Sequence, residues 1–419
     1  MDIRMETIEA LESQVRYYVR QFPVMFDRAE KSFLYDNEGR TYIDFFCGAS
    51  SLNYGHNHFE LKQALLNYIN KNGIVQSLDM ATTAKSAFIK KFKEQILDPR
   101  KLNYKLQFCG PTGANAVEAA LKLAKKFTNH SHLAAFNNSY HGLSMGALAV
   151  TDSPSRWKAI GLSTLDVIFL PYLKPDESIA ANLAHIRSQF EFHLKNNTLP
   201  AALIMETVQI EGGINVAPSS WLAGLREITK EFGIIFIIDD IQAGCGRTGQ
   251  FFSFESAKIN PDIVCLSKSL SAYGLPMSML LIKPEIDVWE PGEHTGTFRG
   301  NNLAFVTAAK ALDFWSDENF LNNLKQQAKQ LEDYLKQLAI TYSPFLTMRG
   351  RGFVWGLEWK DKEIASKVAE CCFRKGLIVE TVGVDSQVLK LLPPLIIEQE
   401  AFSQGLSILE QAIKKSVVL

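Results

Sequence analysis

The sequence has few cysteines, and their spacing excludes the usual cysteine-based scaffolds. Six cysteines occur among 419 residues, none of them in a C-x-x-C motif, and Cys371 and Cys372 are adjacent. Neither a disulfide framework nor a zinc site fits this pattern. The eight histidines form no H-E-x-x-H motif, so we expect no catalytic metal. A reducing cytoplasm is the expected setting of the chain.

The sequence also lacks an excess of charge of one sign and any long apolar run. Its formal net charge is -1, with 47% apolar and 21% charged residues, which offers no broad basic surface for nucleic acid or an anionic membrane. The amino terminus mixes acids and bases without the apolar core of a signal peptide. No apolar run approaches the roughly 18 to 20 residues of a membrane span. We therefore expect neither nucleic acid nor a membrane as partner.

Helical and apolar-strand patterns alternate between residues 60 and 305, which predicts an α/β fold. Such alternation favours a mainly parallel sheet covered by helices. The length of the chain suits two or three domains, and we predict that residues 60–305 form the large one. The strands are expected around residues 105–109, 132–136, 201–205, 234–239, 262–267 and 278–282.

The two ends of the chain are predicted to form one small α+β domain, from residues 1–59 and 306–419. The amino-terminal part is expected to contain a helix at residues 6–20 and a hairpin turning at Asn37-Glu38-Gly39. The carboxyl-terminal part is expected to contain a long helical stretch over residues 302–338, a strand within 345–359 and a helix at 361–375.

Residues 235–268 combine an acid, a glycine-rich turn and a lysine. The apolar run from Ile235 predicts a strand buried on both faces, with Asp239 at its carboxyl end. A second apolar strand ends at Lys268, whose pKa should fall because burial disfavours its charged form, leaving a neutral amine as a nucleophile. A buried acid beside such an amine suits pyridoxal phosphate, with the lysine forming the Schiff base and the acid keeping the pyridine nitrogen protonated.

Two other interpretations of this stretch remain open. Residues 244–249, GCGRTG, match the dinucleotide pattern G-x-G-x-x-G. That site requires a helix starting on the glycines and an acid about twenty residues later, whereas Gly249 continues into Gln250-Phe-Phe-Ser-Phe and the acids precede the glycines. Alternatively, Asp239 and Lys268 form only a structural ion pair.

Two further segments carry groups that suit the same cofactor. Thr112-Gly113-Ala114 lies between a strand and a helix, where free amide groups and the helix dipole favour a phosphate. The alternative is an ordinary turn with Thr112 or Asn115 as helix cap. Tyr140, followed by His141 and Gly142, offers an aromatic face for a pyridine ring, although plain packing explains most such aromatics.

Together these motifs resemble the class III (omega-type) aminotransferases. In that family an Asp-acid-hydrophobic-Gln segment leads into G-x-G-R-T-G and is followed by a Schiff-base lysine, as Asp239, Gln242 and Lys268 are placed here. The resemblance implies fold type I of the pyridoxal-phosphate-dependent transferases. It also implies that Lys268 is catalytic and that the following residues bind the cofactor: Asp239, Gln242, Thr112, Gly113, Ala114, Tyr140, His141, Glu206 and Thr297.

Two of these residues need comment: Ala114 departs from the family pattern, and Thr297 is expected to act in the partner subunit of a dimer. The family usually has S/T-G-T/S-E-A at the phosphate turn, so Ala114 could contribute only its backbone amide. Within the family the threonine corresponding to Thr297, in the motif T-F-x-G-N, reaches across a dimer. The resemblance therefore implies a homodimer or a higher homo-oligomer with a shared active site.

The resemblance also implies three substrate-binding residues: Glu211, Arg299 and Lys390. Glu211 corresponds to the acid that gates substrate carboxylates by pairing with an arginine, in a motif where Thr207 replaces the usual proline. Lys390 stands where many class III enzymes carry an arginine whose planar fork binds the substrate carboxylate, and lysine cannot reproduce that bidentate geometry. Arg299 is therefore the candidate for the substrate carboxylate.

Segments spread over residues 22–359, among them LDMATTAK and GEHTGTFRGNNLAFVTA, narrow the resemblance to a subgroup. That subgroup converts L-glutamate and L-aspartate 4-semialdehyde into 2-oxoglutarate and L-2,4-diaminobutyrate, and it supplies ectoine biosynthesis. Departures from its pattern occur at Ser50-Ser51, Val75-Gln76, Ile210 and Thr295. They leave open another omega-aminotransferase, acting on 4-aminobutyrate, ornithine or a related amine. A catalytically idle scaffold is the more distant alternative.

Overall fold

A computed structural model describes residues 5–164 and 166–417. Within these ranges no helix is both long and apolar enough to cross a membrane. The α-helices are α1 (Met5–Leu11), α2 (Tyr18–Gln21), α3 (Cys47–Ser50), α4 (Phe59–Asn70), α5 (Thr83–Phe92), α6 (Gly113–Thr128), α7 (Met145–Ala149), α8 (Pro154–Ile160), α9 (Ile179–Lys195), α10 (Ser219–Phe232), α11 (Asn302–Ala311), α12 (Glu318–Thr341), α13 (Glu363–Arg374) and α14 (Gln399–Ser416).

The strands in the same ranges are β1 (Phe26–Glu30), β2 (Phe33–Asp36), β3 (Thr41–Asp44), β4 (Lys105–Phe108), β5 (Leu133–Phe136), β6 (Val167–Leu170), β7 (Ala202–Met205), β8 (Val208–Gln209), β9 (Asn215–Val216), β10 (Ile235–Asp239), β11 (Ile263–Leu266), β12 (Met279–Ile282), β13 (Leu346–Arg351), β14 (Val354–Trp359), β15 (Leu377–Ile378), β16 (Glu380–Val382) and β17 (Val388–Leu391).

A seven-stranded sheet in the order β4-β12-β11-β10-β7-β5-β6 forms the centre of the fold. Its strands run parallel except β12, which is antiparallel to both of its neighbours. All residues of β5, β7, β10, β11 and β12 are buried, which explains why their sequences are apolar throughout. The predicted α/β class and mainly parallel sheet are confirmed, and β6 is an additional strand that the sequence patterns did not predict.

Two smaller four-stranded sheets lie outside the central sheet, and one of them combines both ends of the chain. The expected hairpin is present: β2 pairs antiparallel with β3, with Tyr35 opposite Thr41. Strand β3 also pairs in parallel with β15, where Leu377 lies opposite Ile43. The other sheet has the order β13-β14-β17-β16 and is antiparallel. The domain limits at residues 59 and 305 stay a prediction.

Three predicted elements differ from the structure. The helix expected at residues 6–20 is wrong, because α1 ends at Leu11 and α2 begins at Tyr18. The apolar side chains of Leu11 and Val15 are 83% and 87% exposed. The helical stretch over 302–338 is interrupted before Asp317, whose carboxylate caps the start of α12 by accepting from the Asn319 amide. The strand expected within residues 345–359 is a hairpin, β13 and β14, turning at Gly352 with a φ of +61°.

Candidate active site

A cavity of about 260 Å³ lies at the carboxyl ends of β7 and β10, beside the amino terminus of α6. Ligand sites at this edge are the rule in α/β sheets, because loops and helix starts converge there. The cavity is lined by Gly113, Ala114, Tyr140, His141, Gly142, Leu143, Glu206, Val208, Asp239, Ile241, Gln242, Ala243 and Lys268. The structure thus brings together most of the residues that the sequence assigned to the cofactor.

Lys268 is held in the cavity by a strained, anchored turn. It begins a short 3-10 helix and has a φ of +47°, a left-handed conformation that a lysine rarely adopts. The next residue, Ser269, donates its hydroxyl to the Ser50 carbonyl at 2.8 Å and accepts from the Asn53 amide at 2.9 Å. Burial lowers the pKa of Lys268 to about 8, helped by Lys390 and opposed by nearby carboxylates. A larger fraction of its amine is therefore neutral at neutral pH than in an ordinary lysine.

Asp239 is oriented by two donors at the end of β10. His141 Nδ1 lies 2.7 Å from Asp239 Oδ2, and the Ile241 amide donates to Oδ1 at 3.1 Å. Both side chains are almost completely excluded from solvent. A carboxylate fixed in this way can pair with a protonated ring nitrogen in the cavity.

Glu206 follows β7 and stays close to Asp239. Burial and the charge of Asp239 raise the pKa of Glu206 well above its ordinary value. Its Oε2 accepts from the Tyr140 amide at 2.9 Å and fixes the backbone of the aromatic turn. Burial also raises the pKa of Tyr140, which keeps its phenol neutral. Glu206 thus supports the aromatic turn from the cavity wall, and its predicted role in cofactor binding stays a prediction.

The start of α6 forms the third wall of the cavity. Gly113 and Ala114 are in its first turn, where backbone N–H groups have no acceptor within the helix. Gly142, with a φ of +126°, passes so close that a Cβ there would lie 2.9 Å from the Ala114 Cβ. The Thr112 hydroxyl donates instead to Asn115 Oδ1 at 2.9 Å, as in a helix cap. The backbone can hold a phosphate here, whereas the Thr112 side chain is already engaged.

A buried ionic cluster adjoins Lys268. Lys390 Nζ lies 2.7 Å from Glu211 Oε1 and 2.7 Å from Glu380 Oε2. Gln242 Nε2 donates to the same Glu211 oxygen at 2.9 Å, and its predicted role in cofactor binding stays a prediction. Burial opposes ionisation of Glu211, but Lys390 and Lys268 outweigh it and lower the pKa of that carboxyl to about 2. Glu211 and Lys390, both expected to bind substrate, are thus paired with each other, and Glu380 is a second acid on the same ammonium group.

Sequence reasoning missed two residues of this cluster, Glu380 and Tyr18. Glu380 interrupts the apolar run Leu377-Ile-Val-Glu-Thr-Val382, and a lone acid in such a run requires a buried cation or donors. Burial raises the pKa of Glu380 while Lys390 opposes this rise. Tyr18 makes a hydrogen bond with Glu380. This contact was not predicted, because Tyr18 was expected to belong to one continuous helix over residues 6–20.

Thr297 and Arg299 lie outside the cavity of their own chain. Both belong to the 3-10 turn Thr297–Gly300, where Thr297 is exposed and Arg299 donates to the His294 carbonyl at 3.2 Å. Their expected roles in cofactor and substrate binding stay predictions. Of the positions that depart from the subgroup pattern, Ile210 is fully buried and Val75 is 55% exposed, and neither lines the cavity.

The chemistry of the lining fits pyridoxal phosphate. A carboxylate, a neutral amine, an aromatic side chain and a helix start are the groups that a pyridinium, an aldehyde carbon, a ring face and a phosphate require. The dinucleotide interpretation is wrong, because residues 244–249 begin no helix. Arg247 of that motif is fully buried and donates to the Phe353 and Pro393 carbonyls.

Comparisons with known proteins agree with this site. The family model "Aminotransferase class-III" matches residues 15–413. A diaminobutyrate–2-oxoglutarate transaminase of Halalkalibacterium halodurans is 47% identical, covering 99% of this chain and 97% of that protein. One of Streptomyces anulatus is 48% identical and covers 98% of both chains.

Solved structures show the same fold at lower identity. An ornithine aminotransferase from Toxoplasma gondii superimposes with a TM-score of 0.85 at 24% identity, covering 98% of this chain and 94% of that chain. An S-selective transaminase from Arthrobacter sp. gives a TM-score of 0.87 at 22% identity, covering 99% and 98%. At these identities the likeness concerns the fold alone, which is the expected transferase fold type I.

Proposed function

The chain belongs to the class III aminotransferases, and we propose that it interconverts L-glutamate plus L-aspartate 4-semialdehyde with 2-oxoglutarate plus L-2,4-diaminobutyrate. The observation that carries this proposal is the 46–48% identity, over 98–99% of the chain, to relatives named diaminobutyrate–2-oxoglutarate transaminase. The cavity supports the proposal because it contains the amine and the acid that such a reaction requires, and the pair of Glu211 and Lys390 lies beside it.

Pyridoxal 5′-phosphate is the cofactor of this enzyme. When bound, it supplies an aldehyde for amine exchange and a ring that withdraws electrons from the substrate Cα. We assign Lys268 as the residue that attaches the cofactor and then, as a free amine, moves the proton at the substrate carbon. Asp239 would keep the ring nitrogen protonated, and the Gly113 and Ala114 amides would hold the phosphate.

The reaction requires one site to accept two kinds of substrate. Glutamate and 2-oxoglutarate present a second carboxylate, whereas diaminobutyrate presents an α-ammonium and an α-carboxylate at its non-reacting end. In our proposal Glu211 pairs with Lys390 when the diamine is bound and leaves Lys390 to the carboxylate of glutamate. Its side chain is 26% exposed, against 0% for Lys390, so Glu211 is the partner that can move.

A competition assay tests the proposed substrates. Glutamate formation from 2-oxoglutarate is followed with L-2,4-diaminobutyrate, 4-aminobutyrate and L-ornithine as competing donors, using wild type and Lys268→Ala. We expect diaminobutyrate to dominate and the variant to be inactive. A wild type that prefers another donor contradicts the substrate assignment and leaves the family and the cofactor in place.

We also propose that the enzyme is a homodimer whose partner completes the site. Thr297 lies on an exposed turn with Phe298, which is 65% exposed. The adjoining segment contributes Val75 and Met80, exposed by 55% and 59%, and contacts this turn through the Ser77 amide and the Gly300 carbonyl at 3.1 Å. Contiguous apolar groups of this kind typically become buried in an interface, and a second copy of the chain is the occupant we propose.

Mass measurement in solution tests the dimer. We expect a mass of twice the 47.0 kDa chain and a monomer for Phe298→Glu, because a charge in the apolar contact opposes association. Phe192→Glu, at a side chain that is 60% exposed on α9, is the control and should stay dimeric. A monomeric wild type overturns the proposal.

The setting and the pathway also belong to this proposal. All six cysteines are free thiols in the structure, which suits a reducing cytoplasm. Production of L-2,4-diaminobutyrate suits ectoine biosynthesis, and deletion of the gene followed by measurement of ectoine under salt stress tests that role. Unchanged ectoine would contradict it.

A further inference from the structure

The Lys390 cluster contains one cation and two carboxylates. Lys390 lies on the inner strand β17, and strand register places Glu380 of β16 directly opposite it. Its other cross-strand neighbour, on β14, is Gly356, which has no side chain. Glu380 is therefore a built-in partner of Lys390, fixed by the sheet before any substrate binds.

The two carboxylates differ in mobility and exposure. The side chain of Glu380 is 4% exposed and is tied to a strand, whereas Glu211 is 26% exposed and precedes Gly212 and Gly213 in a loop. When Glu211 also pairs with Lys390 and both carboxylates are ionised, the single ammonium group balances one of them and the cluster has a net charge of minus one. A cluster of one arginine and one glutamate would be neutral.

The excess charge borders the cavity. Glu211 accepts from Gln242, which lines the cavity, and the charges of Glu211 and Lys390 both act on Lys268. Burial and the charges of Glu380 and Glu211 raise the pKa of both Tyr17 and Tyr18 in the amino-terminal segment, so these tyrosines also lie near the cluster. A donor whose reacting amine faces Lys268 therefore lies within reach of the field of the cluster.

We propose that Glu380 determines donor specificity: its charge makes the cluster favour amines whose non-reacting end carries an ammonium beside its carboxylate. This inference rests on the proposed function and goes beyond it by naming the residue that separates substrate classes. The α-ammonium of L-2,4-diaminobutyrate compensates its carboxylate. 4-Aminobutyrate presents a bare carboxylate, which the cluster repels while both Glu211 and Glu380 are paired with Lys390. Specificity arises here from repulsion of the wrong substrate as well as attraction of the right one.

The test measures kcat/KM for L-2,4-diaminobutyrate and for 4-aminobutyrate in the holoenzyme, with 2-oxoglutarate as common acceptor at about pH 8.5, well above the ordinary carboxyl range. Glu380→Gln removes the extra charge and keeps the shape. We expect the ratio of the two constants to fall by about five- to tenfold. Glu370→Gln, on the exposed face of α13, is the matched control and should leave the ratio unchanged.

Two further variants separate charge from structural damage. Glu380→Gln combined with Lys390→Met removes one acid and one base, so the ratio should return to within about twofold of wild type. Glu211→Gln removes one negative charge at the exposed side of the cluster and should shift the ratio in the same direction as Glu380→Gln. It provides the test should Glu380→Gln not fold.

Binding without turnover gives an independent measurement. In the Lys268→Ala background, calorimetry with the two donors should show the same loss of preference when Glu380 becomes Gln. A ratio that stays within twofold of wild type in both Glu380→Gln and Glu211→Gln overturns the inference while the proposed function stands. A wild type that does not prefer diaminobutyrate overturns the proposed function itself.

Discussion

At the scale of single residues, Lys268 shows how burial changes the chemistry of a common side chain. An ordinary lysine has a pKa of about 10.4 and is protonated at neutral pH. Burial lowers the pKa of Lys268 to about 8. Because the neutral amine is the nucleophile, its reactivity should rise with pH through about 8 and level off above it.

This pH dependence can be measured on the enzyme without cofactor, in which the amine is free. Trace acetylation followed by peptide mass spectrometry should give a midpoint near 8 for Lys268, with exposed Lys195 as the internal reference. A midpoint near that of an ordinary lysine would show that the cavity does not desolvate the amine.

His141 should matter through Asp239. It places Nδ1 2.7 Å from the carboxylate, and a hydrogen bond to a charged group contributes about 1.5–3 kcal/mol. His141→Phe should therefore reduce kcat/KM for diaminobutyrate by roughly 10- to 100-fold. Asp239→Asn should reduce it by on the order of 100-fold or more, because the ring nitrogen loses its counter-ion.

The control for His141 is His130→Phe, which removes a histidine whose Nδ1 contacts only the Leu199 carbonyl in the described part of the chain. Its kcat/KM should stay within about twofold of wild type. If both variants lost kcat/KM equally, His141 would act by stabilising the fold and not by orienting Asp239.

At the scale of elements, the segment after β7 differs from the family pattern at one residue, and that residue makes a buried hydrogen bond. Thr207 replaces a proline, and its hydroxyl donates to Ser253 Oγ at 2.5 Å while Arg351 approaches at 3.2 Å. Thr207 and Ser253 are both fully buried. The threonine thus ties the loop after β7 to the turn after β10.

Removing this hydroxyl should destabilise the fold. We expect Thr207→Val to lower the free energy of unfolding by about 1–3 kcal/mol, because buried partners lose a hydrogen bond. Thr307→Val in α11 is the matched control, since that buried hydroxyl bonds only helix carbonyls that are already paired. Urea midpoints measure both; similar midpoints in the two variants would contradict a special role for Thr207.

The central strands were predictable because their apolar runs are buried on both faces, as Ile235–Asp239 illustrates. The same signal placed Asp239 and Lys268 at one edge of the sheet. Interruptions were harder to predict: the break between Leu11 and Tyr18 follows from missing packing partners, which a local pattern does not report. The role of Glu380 was not predicted, because only the pairing of β16 with β17 places it opposite Lys390.

At the scale of the whole molecule, Arg247 connects three parts of the chain. From the glycine-rich turn it donates to the Phe353 and Pro393 carbonyls and to Asn53 Oδ1, and its side chain is fully buried. Because these partners come from the amino-terminal segment and from the carboxyl-terminal unit, Arg247 fixes both against the large sheet that carries Lys268.

Loss of this connection should be costly. Arg247→Met leaves three buried acceptors without a donor and should lower the free energy of unfolding by about 3 kcal/mol or more. Arg187→Met removes an exposed arginine that pairs with Glu231 and should cost about 0–1 kcal/mol. Thermal unfolding of both holoenzymes compares them. Equal melting temperatures would contradict the connecting role.

The central claim is that the enzyme transfers the amine at C4 of diaminobutyrate to 2-oxoglutarate and that this transfer requires Lys268. Diaminobutyrate labelled with nitrogen-15 at either C4 or Cα is incubated with 2-oxoglutarate and the enzyme, and the glutamate formed is analysed by mass spectrometry. We expect the label in glutamate only when it started at C4, and no glutamate with Lys268→Ala. Label arriving from Cα, or glutamate formed by the variant, would contradict the claim.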